Sequence, residues 1–187
     1  MSVNGPTVFP RLESEACFIG TRIEALQSLR RFARVASILT PKDSWVHRAA
    51  EEHGWEANVV DEEDRETAFD FLRGQNSQLV LSAGFPFIIP QDVLEGGALF
   101  VNSHPSLLPA YKGRNAIKEA FKDGQNYTGV TVHHMVAAVD AGEIIVQERA
   151  CVEGMGLDDI YQLLFGDVEP RAISLALTKL KENGQLH

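Results

Sequence analysis

Cysteine is scarce in this sequence, as are long apolar runs. Only Cys17 and Cys151 occur, far apart and in no CxxC pair. This argues against a disulfide framework or a thiolate zinc site and suits a reducing compartment. No apolar run approaches the roughly 20 residues that a membrane helix needs, and residues 1–16 lack the apolar segment of a signal peptide. We therefore expect a cytoplasmic protein without a membrane partner.

Basic charge and glycine-rich loops are also in short supply. Lys and Arg number 17 against 26 Asp and Glu, so the formal net charge is −9. Because a nucleic-acid groove normally requires a basic stripe that neutralises phosphates, nucleic acid is disfavoured as the main partner. The motifs GxGxxG, GxxxxGKS/T and GxSxG do not occur, which disfavours a dinucleotide site, an NTP site and a serine hydrolase.

Short apolar segments alternate with helical patterns over most of the chain. We expect residues 1–14 to form an extended or loose segment and residues 15–187 to form a single domain. Leu79–Leu81 and Ala98–Val101 are continuous apolar runs, typical of strands that are buried on both faces of a parallel sheet. Strands that alternate with helices predict an α/β fold with an open, mostly parallel twisted sheet.

The pattern changes after residue 128. Gly129–Met135 and Glu143–Val152 predict two longer strands, joined in a hairpin by a turn at residues 139–142. Asp158–Lys181 predicts a final helix with a bend before Pro170. The C-terminal part should therefore add a hairpin and a helix to the parallel sheet, and ligands should bind outside the carboxyl ends of the parallel strands.

A polar segment, Asn102-Ser103-His104, follows one of these buried strands. Side chains two residues apart on a strand point to the same side, so Asn102 and His104 should project together. A carboxamide beside an imidazole suits a carbonyl that becomes a tetrahedral oxyanion, because the amide stabilises the negative charge and the imidazole moves protons. A plain strand end, with Asn102 satisfying a turn, is the alternative.

Asp140 stands in the turn between the last two strands. We expect Gly142 to supply a positive φ there, and the Asp140 carboxylate to reach His104 and hold one tautomer or raise its pKa. An ordinary turn aspartate that bonds its own backbone is the alternative. His133 and His134 suggest a metal, but adjacent strand residues face opposite ways and no HxH or HxxxH spacing exists. We expect no metal.

Several motifs together resemble the folate-dependent formyltransferase family. The resemblance covers about residues 79–150 and rests on the segments Asn102–Pro109, Gly113, Thr128–His133, Asp140–Ile145 and Gln147. It implies a Rossmann-like formyltransferase fold. It also implies 10-formyltetrahydrofolate as the formyl donor and a primary amine as the acceptor.

The resemblance also assigns residues to roles. Asn102, His104 and Asp140 match the catalytic trio of the family. The loops that match the pterin site of the family make Gly84, Phe85, Phe87, Ile88 and Val139 the expected folate contacts; core packing is the alternative for the aromatic and isoleucine side chains.

The acceptor is where the sequence departs from the family. The Gly-Ser-Asn loop with which the glycinamide ribonucleotide enzymes cradle a phosphate is replaced by Gly20-Thr21-Arg22. Arg22, Lys112 and Arg114 are candidates to bind an anionic acceptor, against the commoner role of surface solvation. The short, acidic chain favours a small amine, similar to glycinamide ribonucleotide or an amino sugar, over tRNA. A 10-formyltetrahydrofolate hydrolase and a non-catalytic folate-binding protein are the alternatives, and a homodimer is left open.

Overall fold

The computed structural model describes residues 11–187. Seven strands form one sheet in the order β3-β2-β1-β4-β5-β6-β7. The strands are β1 (Glu15–Gly20), β2 (Arg34–Pro41), β3 (Asn58–Val60), β4 (Leu79–Ala83), β5 (Leu99–His104), β6 (Tyr127–His134) and β7 (Ile144–Cys151). The helices are α1 (Ile23–Phe32), α2 (Trp45–His53), α3 (Arg65–Arg73), α4 (Gln91–Leu94), α5 (Ala116–Lys122), α6 (Leu157–Leu163) and α7 (Glu169–Glu182).

The first five strands run parallel, and β6 and β7 run antiparallel to their neighbours. This confirms the predicted open, mostly parallel α/β sheet with an antiparallel C-terminal pair and a helix. Parallel strands need helical crossovers, which cover both faces of the sheet, so strands such as β4 are buried throughout their length.

Two apolar layers lie on opposite faces of the sheet. Alternation along each strand assigns side chains to them: Leu79 and Leu81 of β4 belong to the first layer, and Val80 between them belongs to the second. The first layer contains the buried faces of α1 and α7, and the second contains those of α3 and α4. The carboxyl ends of β4 and β5 therefore open between two apolar walls.

Two predictions for the C-terminal part were wrong in detail. The antiparallel strands are joined by a long loop, residues 135–143, and not by a tight turn. Gly142 does not have a positive φ; Asp140 does, at 47°. Gly142 is required for another reason, since a Cβ there would lie 1.8 Å from the carbonyl oxygen of His134.

The final helix is not simply bent. A π-helical segment, Leu164–Val168, separates α6 from α7, and Pro170 follows in the first turn of α7. The Glu169 N–H bonds the Leu164 carbonyl in the π-helical pattern, and Pro170 has no N–H to continue the ladder at the next position. The wider π turn changes which side chains face the sheet.

The predicted loose segment 1–14 lies mainly outside the described residues. In its described part, Leu12 is buried and donates a backbone hydrogen bond to the Phe32 carbonyl, and Ser14 bonds the His187 carbonyl. Within residues 11–187, none of the helices combines the length and apolar character needed to cross a bilayer.

Candidate active site

A cavity of about 520 Å³ lies at the carboxyl ends of β4 and β5. Its lining combines polar groups from β5, β6 and the 135–143 loop with apolar groups from both layers. Such convergence of a few polar side chains in an apolar cleft is typical of ligand sites, and the location is the one expected for ligands in open α/β sheets.

Asn102 and His104 enter this cavity from β5. The strand extends through His104 and does not end at Val101 as the apolar run suggested, because Val101–His104 pairs with β6. Phe100 belongs to the second apolar layer, so Asn102 and His104 share that face, whereas Ser103 points to the opposite face. Pro105 follows, and the strand stops there because proline has no N–H for the ladder.

The His104 imidazole is held at both nitrogens. Nε2 lies 2.8 Å from the Tyr111 carbonyl oxygen, and Nδ1 lies 3.4 Å from Oδ2 of Asp140. A carbonyl oxygen only accepts, so Nε2 must carry a proton. In the neutral ring, Nδ1 is then the nitrogen that can take a proton, and Asp140 is placed to stabilise the resulting imidazolium.

The pKa of His104 is lower than its ordinary value of 6.5, although the expected contact with Asp140 acts in the opposite direction. Burial is the main cause, since it disfavours the charged ring. The Tyr111 carbonyl and the Asp140 carboxylate oppose this shift without reversing it. His104 is therefore neutral at pH 7 and available as a base.

Asp140 is brought to His104 by the loop. Its backbone has a positive φ, which asparagine and aspartate tolerate better than most residues. The Gly113 N–H donates to Oδ2 at 2.8 Å, and Nε2 of His133 lies 3.5 Å from Oδ1. Burial raises the pKa of Asp140, but the contacts with His133, Gly113 and His104 outweigh it, so the pKa is lowered and the carboxylate is ionised.

His133 is a site residue that the sequence analysis missed. It is directly opposite Asn102 in the β5–β6 register, so both side chains lie on one face. Its Nδ1 lies 2.8 Å from the His134 carbonyl oxygen and therefore carries a proton. In the neutral ring Nε2 accepts from Nδ2 of Asn102 at 3.2 Å, and in a protonated ring Nε2 donates to Oδ1 of Asp140. Side chains alternate between the two faces of β6, and a histidine on a buried face needs polar partners; this pattern could have identified His133 from the sequence.

The five expected folate contacts all line the cavity. Phe85 and Phe87 meet edge to face, with ring centroids 5.3 Å apart, and pack on the second apolar layer. Ile88 is 68% exposed and Val139 is 46% exposed, so neither is a core residue. Gly84 has a φ of 73°, which favours glycine. Core packing therefore does not describe Ile88, and it describes Phe85 and Phe87 only in part, because these rings both pack on the second layer and line the cavity.

The three candidate anion-binding residues separate in the structure. Arg22 and Arg114 line the cavity, whereas Lys112 is exposed and does not. Arg114 donates a hydrogen bond to the Pro86 carbonyl. The side chain of Arg22 is only 11% exposed, so surface solvation does not describe it.

Arg22 belongs to a buried polar network beneath β5. Its Nη2 donates to the Ser103 carbonyl at 2.6 Å, and its Nε lies 3.1 Å from Oε1 of Glu169. Ser103 Oγ donates to the same carboxylate oxygen at 2.5 Å. Burial raises the pKa of Glu169, and Arg22 and Ser103 oppose that rise. The guanidinium also lies over the Phe165 ring, 4.8 Å from its centroid.

Among residues 11–187, no group of three or more His, Cys, Asp or Glu side chains is arranged to hold a metal ion. The polar groups of the cavity instead lie in series, each within 3.5 Å of the next, from the Asn102 amide through His133 and Asp140 to His104. This arrangement suits proton transfer and oxyanion stabilisation.

The sequence model of a family described as Formyl transferase matches residues 15–177. A methionyl-tRNA formyltransferase from Thermotoga neapolitana is 32% identical over 141 residues, which cover 74% of this chain and 44% of that protein. The chain spans about half the length of the curated relatives it matches.

Solved structures of similar proteins share the fold. A phosphoribosylglycinamide formyltransferase from Anaplasma phagocytophilum superposes with a TM-score of 0.80 at 24% identity, over 91% of this chain and 88% of that one. A glycinamide ribonucleotide transformylase from Symbiobacterium toebii gives a TM-score of 0.77 at 26% identity, over 98% and 92% of the two chains. The match extends over nearly the whole chain, including the antiparallel strands.

Proposed function

This chain belongs to the formyl transferase family, and we propose that it moves a formyl group from 10-formyltetrahydrofolate to a primary amine. The observation that supports this most is the meeting of Asn102, His104 and Asp140, far apart in sequence, at one end of the cavity. In the reaction, the amine nitrogen bonds to the formyl carbon, the bond from that carbon to the folate nitrogen breaks, and one proton passes from the amine to the folate nitrogen.

Asn102 stabilises the negative charge that develops on the formyl oxygen. Its amide nitrogen has two hydrogens, of which one is directed to Nε2 of His133 at 3.2 Å, so the other remains for the oxyanion. The hydrogen bond to His133 holds the amide in this orientation before the substrate arrives, and preorganised donors of this kind contribute much of the catalysis in acyl transfer.

His104 takes the proton that the attacking amine releases. Because the Tyr111 carbonyl fixes the proton on Nε2, Nδ1 is the base, and Asp140 at 3.4 Å stabilises the imidazolium that forms. The ring then returns the proton to the leaving folate nitrogen. A buried, neutral imidazole suits this exchange because its pKa lies below pH 7 before the reaction begins.

The second-layer wall fits the donor. A flat pterin requires an apolar slot, and Phe85, Phe87, Ile88 and Val139 supply apolar surface on one side of the cavity. Ile88 and Val139 expose apolar area that a bound ring would cover, which favours binding by roughly 25 cal/mol for each Å² buried. When bound, 10-formyltetrahydrofolate supplies the activated formyl group.

We infer a small-molecule amine as the acceptor. The net charge of −9 disfavours contact with a polyanion. The names of the relatives include both methionyl-tRNA and phosphoribosylglycinamide as acceptors, so a formyl group moved to an aminoacyl-tRNA is the second candidate, favoured by the 32% identity to a methionyl-tRNA enzyme.

The test is incubation of the purified chain with 10-formyltetrahydrofolate and a panel of amines, while folate absorbance and free formate are followed. We expect folate turnover that depends on the amine and that His104→Ala lowers by on the order of a hundredfold or more, whereas the surface variant His53→Ala retains it. Formate release without amine dependence would instead identify a hydrolase. Folate binding without any turnover would identify a binding protein, and full activity of His104→Ala would overturn the mechanism.

A further inference from the structure

The cavity has a second wall that the donor does not need. Tyr161 of α6 and Phe165 of the π-helical segment line it, and both pack on the first apolar layer. Phe85 and Phe87, on the donor side, pack on the second layer. The two pairs of aromatic residues therefore come from opposite faces of the sheet, and the ends of β4 and β5 lie between them.

The π-helical segment aligns this second wall. Tyr161, Phe165 and Glu169 follow one another at four-residue steps, and the wider π turn between residues 164 and 168 keeps successive members on the same side. The rings of Tyr161 and Phe165 are in contact, with centroids 5.7 Å apart. Insertions of this kind in helices are frequent at functional sites.

Arg22 is the cationic group of this wall, and it is held by three contacts. The guanidinium contacts the Glu169 carboxylate and the Ser103 carbonyl, and one of its faces lies over Phe165. The Glu169 carboxylate, 3.1 Å from Nε, offsets the positive charge of the guanidinium and so weakens its attraction for a second anion. The wall thus presents mainly aromatic surface, and its cation is paired with a buried carboxylate.

We propose that Tyr161, Phe165 and Arg22 form the acceptor subsite, and that this subsite selects a primary amine carried by an uncharged aromatic or apolar group with no phosphate beside it. This inference rests on the formyl transfer proposed above. The aromatic group stacks on Phe165 and Tyr161, and the amine then extends toward Nδ1 of His104. Tyr161 and Phe165 are specificity-determining residues, because they contact the acceptor and not the formyl carbon.

The test compares two amines that differ at one end only. Phenethylamine and O-phosphoethanolamine are both 2-substituted ethylamines, one with a phenyl ring and the other with a phosphate. With 10-formyltetrahydrofolate saturating, we expect kcat/KM to be about tenfold or more higher for phenethylamine, since an aromatic contact and its buried area provide at least 1.4 kcal/mol. Equal rates, or a faster reaction with O-phosphoethanolamine, would overturn the inference.

The variant Phe165→Ala should remove most of this preference through a higher KM for phenethylamine, with the KM for the folate unchanged. Phe121→Ala is the matched control, since Phe121 is an exposed aromatic residue outside the cavity lining. Thermal unfolding of both variants shows whether the fold is retained. If Phe165→Ala fails to fold, Tyr161→Leu takes its place, and an unchanged preference in the folded variant contradicts the proposal.

Calorimetric titration with tetrahydrofolate separates this inference from the proposed function. Folate binding and amine-dependent turnover, with no preference for phenethylamine, would support the proposed formyl transfer and contradict the proposed aromatic acceptor subsite. Failure to bind folate, with no turnover of either amine, would remove both. Binding, turnover and the expected preference would support both.

Discussion

The parallel strands β1, β2 and β4 bury no imidazole, whereas the antiparallel pair that β5 forms with β6, together with β7 the antiparallel half of the sheet, buries two, His104 at the end of β5 and His133 on β6. The difference follows from how the two parts are covered. Strands in the parallel half are enclosed by helices on both faces, so polar groups there have few partners. The antiparallel half is open at its β5 end to a cavity and to the 135–143 loop, which supplies Asp140 as a partner.

The two regions therefore have different tasks. The parallel half provides apolar packing and, through the loop after β4, one wall of the cavity. The antiparallel half presents the polar groups at fixed spacing. If this division is right, substitutions in the antiparallel half should change turnover, and substitutions in the parallel core should change stability.

The largest effect is expected for the polar groups themselves. His104→Ala and Asp140→Ala should each lower kcat/KM by on the order of a hundredfold to a thousandfold, because each removes a partner that stabilises the charge of the transition state. Steady-state rates with 10-formyltetrahydrofolate and a primary amine measure this, and urea unfolding should show a smaller change in stability. Near-normal rates for both variants would contradict the division.

A core substitution should have the opposite outcome. Leu39 of β2 is fully buried and does not line the cavity, and Leu39→Ala should lower the free energy of unfolding by about 3 kcal/mol through lost transfer energy and a residual cavity. The kcat of the folded fraction should remain within twofold of the parent.

Ile88→Ala is an informative comparison, since this exposed residue should affect the KM for folate and hardly alter stability.

His133 gives an intermediate test. In His133→Phe the ring is kept and both nitrogens are lost, so the Asn102 amide loses its acceptor and turns more freely. We expect kcat/KM to fall by roughly tenfold, with little change in the KM for folate, from the loss of one oriented hydrogen bond. His134→Phe is the matched control, because its backbone carbonyl and not its side chain contacts His133. Equal loss in both variants would refute the orienting role.

The smallest effect is a pH dependence of stability. The pKa of His104 is lower in the folded protein than its ordinary 6.5. At pH values between the folded and the unfolded pKa, the unfolded chain therefore binds more protons, and acidification favours unfolding. The free energy of unfolding should therefore decline as the pH falls below 6.5, and His104→Gln should decline less steeply. Asp140, whose pKa is also lowered, adds a further loss below its ordinary 3.8. Chemical denaturation at several pH values measures both.

The sequence predicted the sheet well because its signals are local. Continuous apolar runs such as Leu79–Leu81 identify strands that are buried on both faces, and alternation placed Asn102 and His104 on one side of β5. The trio itself depended on resemblance to a known family, since turn aspartates like Asp140 are common and their long-range partners are not written in the neighbouring residues.

Other features could not be predicted from local pattern. The pairing of His133 with Asn102 is a property of the β5–β6 register, and the lowered pKa of His104 arises from burial by distant residues. The expected positive φ at Gly142 was wrong because the close approach of the His134 carbonyl, and not the turn, requires glycine there. The role of Arg22 likewise depends on Glu169, a residue of the last helix.

By itself, the amino-acid sequence determined the fold class and which side chains of a strand share a face, because side-chain periodicity and residue type are local quantities. Only the tertiary structure decided which polar groups meet, which nitrogen of His104 is free, and that Arg22 is paired with a buried carboxylate. Charge and protonation depend on distance and burial, and these arise when segments far apart in the chain pack together.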